Sequence, residues 1–217
     1  MVKASDFQKQ LHHTAQLLIA TVLELMEAKP FDKITVEEVL NTSGVARSSL
    51  YHHFEDFHHL MEEALIRQFT KDTDAAIAQL FTTADNTNSF DRAREVIHEW
   101  SHFIQDVGRR QNRMARIVAI ATADRNERFR LILSNEQQRI TDGYAEVFRI
   151  GQERGWINPR LTPVFLATLL QAYTVGRAID DVSATSLSNE EWLSGIDILQ
   201  DTFFLNPELT REINPPQ

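Results

Sequence analysis

The sequence of 217 residues contains no cysteine, and this absence excludes several kinds of chemistry. Disulfide scaffolds, thiolate zinc sites, cysteine nucleophiles and thiol-based redox sensing all require that residue. Glycine and proline are also scarce, with 7 and 6 residues respectively. Because residues that break helices are few while helix formers are plentiful, the composition predicts an all-α fold.

Long apolar runs and excess positive charge are absent as well. No uninterrupted apolar stretch reaches the roughly 18 residues of a membrane-spanning helix, and Met1 to Asp6 is too polar to begin a secretory signal. We therefore expect a soluble, cytoplasmic protein with no membrane partner. The net charge of -9 argues against a protein that coats nucleic acid non-specifically, although it leaves room for a small DNA-reading surface.

Apolar residues recur at steps of three and four along most of the chain, which is the period of amphipathic helices. In the N-terminal part the pattern predicts a helix over Phe7 to Ala28, a short one opened by Thr35, another over Ala46 to His53, and a long apolar-periodic segment after it. The further predicted helices cover Phe90 to Val107, Asn112 to Thr122, Arg125 to Gln152, Thr162 to Asp180 and Asn189 to Phe204.

The two short helices carry clear signals at their ends. Thr35 and Glu38 have the spacing of a capping box, in which the hydroxyl and the carboxylate satisfy free backbone amides of the first turn. Gly44 is able to end this helix in the left-handed conformation. Two short helices separated by a turn that contains glycine, with longer helices on both sides, predict a helix-turn-helix.

The second short helix has two chemically different sides. At 100° per residue, Ala46, Leu50 and Phe54 gather on one side of this helix. The other side and its margins carry hydrogen-bonding groups at Arg47, Ser48, Ser49, Tyr51 and His52. Arginine reads guanine or holds phosphate, hydroxyls reach phosphates, and tyrosine contacts phosphates and thymine methyl groups. This side is therefore a candidate DNA-reading surface.

These residues resemble the DNA-binding domain of the TetR family of one-component repressors. The resemblance rests on ITVEEVL at 34–40 and GVARSSLYHHF at 44–54, followed by Leu60. It implies an all-helical homodimer that binds a palindromic double-stranded DNA operator. The domains would be an N-terminal DNA-binding domain over 1–56 and a C-terminal ligand-binding and dimerisation domain over 57–217. By the same resemblance, the residues that face DNA would be Thr35, Arg47, Ser48, Ser49, Tyr51 and His52.

The sequence departs from the family pattern in its charge. The family often has serine at Ala46 and lysine at Phe57, and residues 1–60 hold five Lys or Arg against eight Asp or Glu. With few lysines to neutralise phosphates, we hypothesise that His52 and His53 supply positive charge, since phosphate favours the imidazolium form. His53 therefore joins the candidate DNA-binding residues.

A second motif belongs to a different class of protein. His98-Glu99-Trp100-Ser101-His102 has the H-E-x-x-H spacing that places two imidazoles on one helix face for zinc, with the glutamate as a base. A zinc metallohydrolase is therefore an alternative function. Because the apolar residues of this helix define the opposite side, we expect His98 and His102 to lie on a solvated face, and we predict no metal site and no cofactor.

The aromatic residues of the C-terminal part are core residues by default, and several carry polar tips. Apolar pockets with a few oriented polar groups are typical of small-ligand sites. We therefore expect a cavity for a small apolar or aromatic effector. The candidate lining residues are Trp100, Phe103, Met114, Tyr144, Phe148 and Tyr173.

The last predicted helix has an apolar stripe formed by Trp192, Ile196, Leu199 and Phe203. Once the adjacent helix is packed, this stripe has no further partner in the chain. We therefore predict that it forms an isologous four-helix dimer interface. Taken together, the sequence predicts a ligand-responsive repressor that catalyses no reaction, with the metallohydrolase and a small-molecule carrier with a vestigial helix-turn-helix as alternatives.

Overall fold

The computed structural model of the chain describes residues 4–209, apart from the side chains of residues 4–12, 71–76 and 85. The α-helices are α1 (Ala4–Ala28), α2 (Val36–Ser43), α3 (Arg47–His53), α4 (Phe57–Asn86), α5 (Phe90–Gln105), α6 (Arg110–Arg125), α7 (Glu127–Glu153), α8 (Pro163–Asp181) and α9 (Asn189–Phe203). Short 3₁₀ helices cover Phe31–Lys33 and Val107–Arg109. Over the described range, the β-structure is limited to one isolated bridge between Ile157 and Leu205, so the predicted all-α class is confirmed.

The end of α5 departs from the predicted one. The helix predicted to reach Val107 stops at Gln105, because Asp106 leaves the helical conformation with ψ of 141° and its carboxylate accepts a hydrogen bond from the Gly108 amide at 2.7 Å. The residues that apolar periodicity assigns to one helix are thus divided between α5 and a 3₁₀ turn. Of the helices in the described residues, none is both long and apolar enough to cross a membrane.

The chain divides into two compact units, Met1–Thr70 and Lys71–Gln217. The core of the N-terminal unit is built from α1, α2, α3 and the first part of α4. Its fully buried side chains include Leu18, Val22, Val39, Leu50 and Leu60. Helix α4 is continuous through the boundary, so its first turns belong to the N-terminal unit and its last turns to the C-terminal unit.

In the C-terminal unit, α7 packs along α8 and α5 packs against α9. Buried polar groups join these helices. Arg113 of α6 is almost fully buried and donates hydrogen bonds to both carboxylate oxygens of Asp181, at 2.7 and 2.9 Å. Arg177 of α8 is also buried, and it donates hydrogen bonds to the Gln105 carbonyl and, at 2.8 Å, to Asn189 Oδ1. These pairings fix the helices relative to one another within this unit.

The turn between α2 and α3 depends on Gly44. This residue has φ of 67°, in the left-handed region, and its amide donates to the Leu40 carbonyl at 2.9 Å. Only residues 44–46 separate the two helices, so the turn geometry sets the direction in which α3 leaves. For a residue with a Cβ atom, this conformation costs about 1–2 kcal/mol.

We expect Gly44→Ala to lower the free energy of unfolding of the N-terminal unit by about 1–2 kcal/mol, because alanine is strained at positive φ. Gly44→Asn is the matched control, since asparagine tolerates the left-handed region, and it recovers part of the loss. Urea denaturation followed by circular dichroism measures both variants. Equal stability of the alanine variant and the wild-type protein would contradict this account of the turn.

Candidate functional site

The predicted capping box at the start of α2 is present. The Thr35 hydroxyl accepts from the Glu38 amide at 3.4 Å, and the Glu38 carboxylate accepts from the Thr35 amide at 3.1 Å. Glu38 also forms an ion pair with Lys29 at the end of α1. Thr35 is exposed at the N-terminus of α2 with its hydroxyl committed to the cap.

Helix α3 separates its apolar and polar residues as the sequence predicts. Leu50 is fully buried and Phe54 is nearly so. On the other side, Arg47, Ser48, Tyr51 and His52 are exposed, with Tyr51 exposed by 47%, while Ser49 and His53 are half-buried. The predicted DNA-binding residues of α3 therefore lie on one accessible, hydrogen-bonding surface, which we call the α3 face.

Arg47 is not free on the α3 face. Its guanidinium donates to Glu37 Oε1 of α2 at 2.7 Å. A backbone hydrogen bond and this bond from Arg47 lower the pKa of Glu37 below its usual value, so the carboxylate stays ionised. Any contact between Arg47 and a phosphate or a base therefore competes with Glu37.

His53 stands at the margin of the α3 face in an environment that favours its neutral form. Its ring meets the His52 ring edge-on at a centroid distance of 5.4 Å and lies against Phe54 at 6.4 Å. Partial burial, and then the neighbouring His52, lower the pKa of His53 below its usual value. An anion beside His53 would favour its charged form.

The two departures from the family pattern have distinct structural consequences. Ala46 is the N-cap residue of α3, and its side chain makes no capping hydrogen bond. Phe57 opens α4 and packs against the core of the N-terminal unit. Phe57 therefore contributes to packing at the position where the family often has a charged residue.

The C-terminal unit encloses a small cavity of about 40 Å³ among α4, α5, α7, α8 and α9. Its lining residues are Leu80, Ile97, Trp100, Tyr144, Val147, Phe148, Leu170, Gln200 and Phe204. We call it the central cavity. An apolar neighbouring cavity of about 60 Å³ shares Leu80, Ile97, Val147 and Phe148 with it, and an open groove beside α4 and α5 shares Leu80 and Trp100.

Only some of the candidate ligand-binding residues line the central cavity. Trp100, Tyr144 and Phe148 line the central cavity. Phe103 is 47% exposed, lines the open groove and lies under the Arg109 guanidinium at 3.8 Å. Tyr173 lies behind the wall, where its hydroxyl is hydrogen-bonded to Ser101 and Gln200 at 3.0 Å each. Met114 is half-buried on α6 and belongs to none of these three linings.

Gln200, the polar residue of α9 that lines the central cavity, is not among the residues predicted to line it. Gln200 is only 1% exposed. It follows Ile196 and Leu199 at helical spacing, so a glutamine among apolar positions was the available signal. The other lining residues that were not predicted look in the sequence like ordinary core residues: Leu80, Ile97, Val147, Leu170 and Phe204.

The H-E-x-x-H segment has a structural role that differs from the expected one. The predicted solvated face is wrong, because the His98 side chain is only 16% exposed and its Nε2 atom lies 3.0 Å from Asp201 of α9. His102 pairs with Asp197 of α9 at 2.8 Å. Asp201 also accepts two hydrogen bonds from Arg94. This face is therefore the contact between α5 and α9.

A zinc hydrolase site is not formed by these residues. The Glu99 carboxylate accepts hydrogen bonds from Arg92 at 3.1 and 3.3 Å. Across the side chains that the structure describes, no group of three or more His, Asp or Glu residues is placed to hold a metal ion. Both histidines of the motif instead pair with carboxylates of α9, an arrangement that does not favour the metallohydrolase alternative.

An accessible α3 face on a helix-turn-helix, in a chain whose second unit is a helical bundle with a cavity, defines a DNA-binding regulator. A family model described as bacterial regulatory proteins of the tetR family matches residues 18–64, which include α2 and α3. The HTH-type transcriptional regulator UidR of Escherichia coli K12 is 25% identical over 187 residues, covering 85% of this chain and 89% of that protein. Over residues 18–64 the chain is similar to the DNA-binding domain of the TetR family, and over most of its length it is similar to a transcriptional regulator.

Solved structures show the same fold. A TetR-family regulator from Mesorhizobium loti superimposes with a TM-score of 0.69 at 17% identity, covering 89% of this chain and 96% of that one. A regulator from Saccharomonospora viridis, crystallised with choline, gives a TM-score of 0.70 at 16% identity and covers 90% of this chain and 99% of that one.

Proposed function

We propose that this regulator is a repressor that binds a palindromic operator as a homodimer and is released when a small molecule fills the central cavity. The main observation in support of this proposal is the α3 face. Seven consecutive residues, Arg47–His53, present guanidinium, hydroxyl and imidazole groups outward while Leu50 anchors the helix in the core. Such a helix suits the major groove, where side chains read base edges and phosphates fix the register.

The proposed dimer interface lies on the outward sides of α8 and α9, and its partner is a second copy of this chain. Ile179 and Val182 are 75% and 65% exposed at the end of α8, and Ile198 of α9 is 65% exposed. A Cβ atom added to Gly176 or Gly195 would meet nothing within 4 Å. Large exposed apolar side chains beside small residues favour close packing of two helices from each protomer.

This arrangement revises the stripe predicted from the sequence. The assumption that the stripe lacks a partner within the chain is wrong for two of its residues, because Trp192 donates its indole N–H to Gln105 at 3.1 Å and Ile196 is 6% exposed. Leu199 is half-buried, and Phe203 is 50% exposed at the edge of the outward side of α9. Ile198 therefore replaces Trp192 and Ile196 at the centre of the proposed interface.

Helix α4 provides a direct connection for the ligand response. Its first turns contribute Leu60 to the core of the N-terminal unit, and its Leu80 lines the central cavity. A ligand that favours one position of α4 would shift the population toward one spacing of the two α3 helices in the dimer. Release follows when this spacing no longer matches successive major grooves, which lie about 34–36 Å apart.

Genomic DNA selection with the purified full-length protein tests the proposal. We expect it to recover a palindromic site, bound in a fluorescence anisotropy titration at least about a thousandfold more tightly than unrelated DNA at the same salt concentration. Tyr51→Ala and Ser48→Ala variants should lose most of that preference. Failure to enrich any site, or binding that does not depend on the α3 face, would contradict it.

The proposed dimer predicts that Ile179→Glu combined with Ile198→Glu produces monomers, since buried carboxylates at the interface lack partners. Sedimentation velocity should show a dimer for the wild-type protein and a monomer for the double variant, which also loses operator binding. Ile120→Glu with Leu131→Glu is the matched control, because these residues are 53% and 55% exposed on α6 and α7. A wild-type monomer, or a dimer that survives the double substitution, would contradict the interface.

The pair between Arg47 and Glu37 predicts a gain of function. We expect Glu37→Gln to tighten operator binding by about two- to fivefold, because Arg47 is released and a negative charge is removed beside the α3 face. Glu24→Gln removes the same charge from the exposed side of α1 and should have less effect. Weaker operator binding by Glu37→Gln would show that Glu37 instead holds Arg47 in its binding position.

The histidines of α3 predict a pH dependence of operator affinity. A phosphate beside His52 or His53 raises the pKa of that residue in the complex, so protons are taken up on binding and affinity rises as pH falls. The gain in operator affinity reaches about tenfold for each unit by which the pKa rises in the complex. It is complete below the free-protein pKa, which for His53 lies below the usual value, and is lost as pH rises through the pKa of the complex.

Operator titrations at fixed ionic strength between about pH 6 and pH 8 measure this dependence around the ordinary histidine value. The double variant His52→Gln with His53→Gln retains most hydrogen-bonding capacity and should give a flatter response. A wild-type response as flat as that of the double variant would remove these histidines from the phosphate contacts.

A further inference from the structure

Two buried polar atoms of the central cavity have no hydrogen-bond partner. They are Nε1 of Trp100, which can only donate, and Oε1 of Gln200, which can only accept. Both side chains line the same cavity, and they are only 9% and 1% exposed. A buried polar group without a partner is costly in the folded state. A ligand that forms a hydrogen bond with each of the two atoms removes this cost, and its binding is stabilised by the same amount.

The surroundings of Gln200 hold its free oxygen in place. Its amide Nε2 donates to the Tyr173 hydroxyl at 3.0 Å, and that hydroxyl is hydrogen-bonded to Ser101 Oγ at 3.0 Å. Ser101 is fully buried on α5. This chain of hydrogen bonds joins α5, α8 and α9 behind the cavity wall and orients the amide. The acceptor is therefore positioned before any ligand binds.

The cavity lining contains no Asp, Glu, Lys, Arg or His. Burial also raises the pKa of the lining residue Tyr144, so its hydroxyl stays protonated. A carboxylate or an ammonium group would enter without a counter-ion and would pay a large desolvation cost. A carboxylate also has no proton for Gln200, and an ammonium group has no lone pair for Trp100. A neutral group that both accepts and donates matches the hydrogen-bonding chemistry of these two atoms.

We propose that the central cavity binds an uncharged apolar molecule through a single hydroxyl group, as an alcohol or a phenol. The hydroxyl oxygen accepts from Trp100 Nε1–H, and its proton is donated to Gln200 Oε1. This inference rests on the proposed function in taking the cavity as the effector site. The apolar body of the ligand extends past Leu80 and Phe148, the shared wall, into the neighbouring apolar cavity toward Trp156.

Isothermal titration calorimetry with the full-length protein and matched probes tests the hydroxyl. The probes are 4-propylphenol, its methyl ether 4-propylanisole, propylbenzene, 4-propylbenzoate and choline. We expect 4-propylphenol to bind about three- to tenfold more tightly than the ether, since the ether leaves Gln200 Oε1 unpaired. Propylbenzene, which pairs with neither atom, should bind more weakly still.

The benzoate and choline should bind most weakly, because the lining of the central cavity offers no counter-ion and Arg154 of the neighbouring cavity donates to the Ala84 and Thr87 carbonyls. Tighter binding of benzoate or choline than of 4-propylphenol would overturn the proposal, as would equal affinities of the phenol and its ether, or no binding by any probe.

Substitutions separate the two hydrogen bonds. Trp100→Phe should weaken the phenol and the ether equally, by about three- to tenfold, because both oxygens accept from the indole. Gln200→Met should abolish the preference for the phenol over the ether while leaving the affinity for the ether unchanged. An unaltered preference in Gln200→Met, or unaltered affinities in Trp100→Phe, would overturn the assignment of these residues.

Two further variants are matched controls. Trp192→Phe removes an indole N–H that is bonded to Gln105 outside the cavity, and it should leave all the affinities unchanged. Tyr173→Phe removes the partner that orients the Gln200 amide but keeps the free oxygen, so the preference for the phenol should be reduced but not abolished. Loss of the preference in Tyr173→Phe equal to that in Gln200→Met would assign the effect to packing and would overturn the proposal.

Nuclear magnetic resonance of the indole N–H groups gives a readout on the wild-type protein that needs no folded variant. The sequence contains three tryptophans. We expect the proton signal of Trp100 Nε1–H to move downfield on addition of 4-propylphenol, as a new hydrogen bond forms, and the signal of Trp192 to stay in place. A Trp100 signal that does not respond at saturation would overturn the proposal.

Operator titrations with the same probes distinguish a failure of the hydroxyl site from a failure of the proposed function. Selective binding of the phenol without any change in operator affinity supports the hydroxyl site and contradicts its role as the effector site. Release of the operator by a charged compound that occupies the cavity supports the proposed function and overturns the hydroxyl preference.

Discussion

Helix α3 depends on its anchorage in the core of the N-terminal unit. It spans only Arg47–His53, and a helix of two turns is not stable alone in water, because nucleation costs more than so few hydrogen bonds return. Leu50, fully buried, and Phe54, nearly so, hold it against α1 and the first turns of α4. This anchorage frees the opposite side from any packing role. Arg47, Ser48 and Tyr51 are therefore available for chemistry, and the direction of α3 is set by the turn at Gly44.

The C-terminal unit depends on polar contacts between its helices as well as on apolar packing. Its helices are joined by buried or half-buried polar contacts, including Arg113 with Asp181 and His98 with Asp201. Almost every donor in these contacts has an acceptor, as expected for groups removed from water. The unpaired atoms of Trp100 and Gln200 contrast with this pattern and lie on one cavity. A binding function accounts for these two groups, whereas Nε of Arg177, the third buried side-chain atom without a partner among the described residues, belongs to no lining residue of the central cavity.

The sequence predicts most of the fold because its signals are local. The capping predicted at Thr35 is present in the structure, since a hydroxyl at a helix start acts on its own first turn. The two sides of α3 also follow from periodicity alone. The contacts of α9 do not follow from periodicity. Whether the polar face of α5 meets water or meets Asp197 and Asp201 depends on how distant segments pack, and periodicity carries no information on that choice.

The central claim is that a dimer positions its two α3 helices on an operator and that a ligand in the central cavity changes their spacing. Because the chain lacks cysteine, Glu24→Cys on α1 provides a single site for a spin label in each protomer. Double electron–electron resonance then measures the distance between the two labels in the free protein, on the operator and with the tightest-binding alkylphenol. The account predicts one narrow distance distribution on the operator and a different distribution at saturating ligand. The same distribution in both states, or no dipolar signal between protomers, would contradict it.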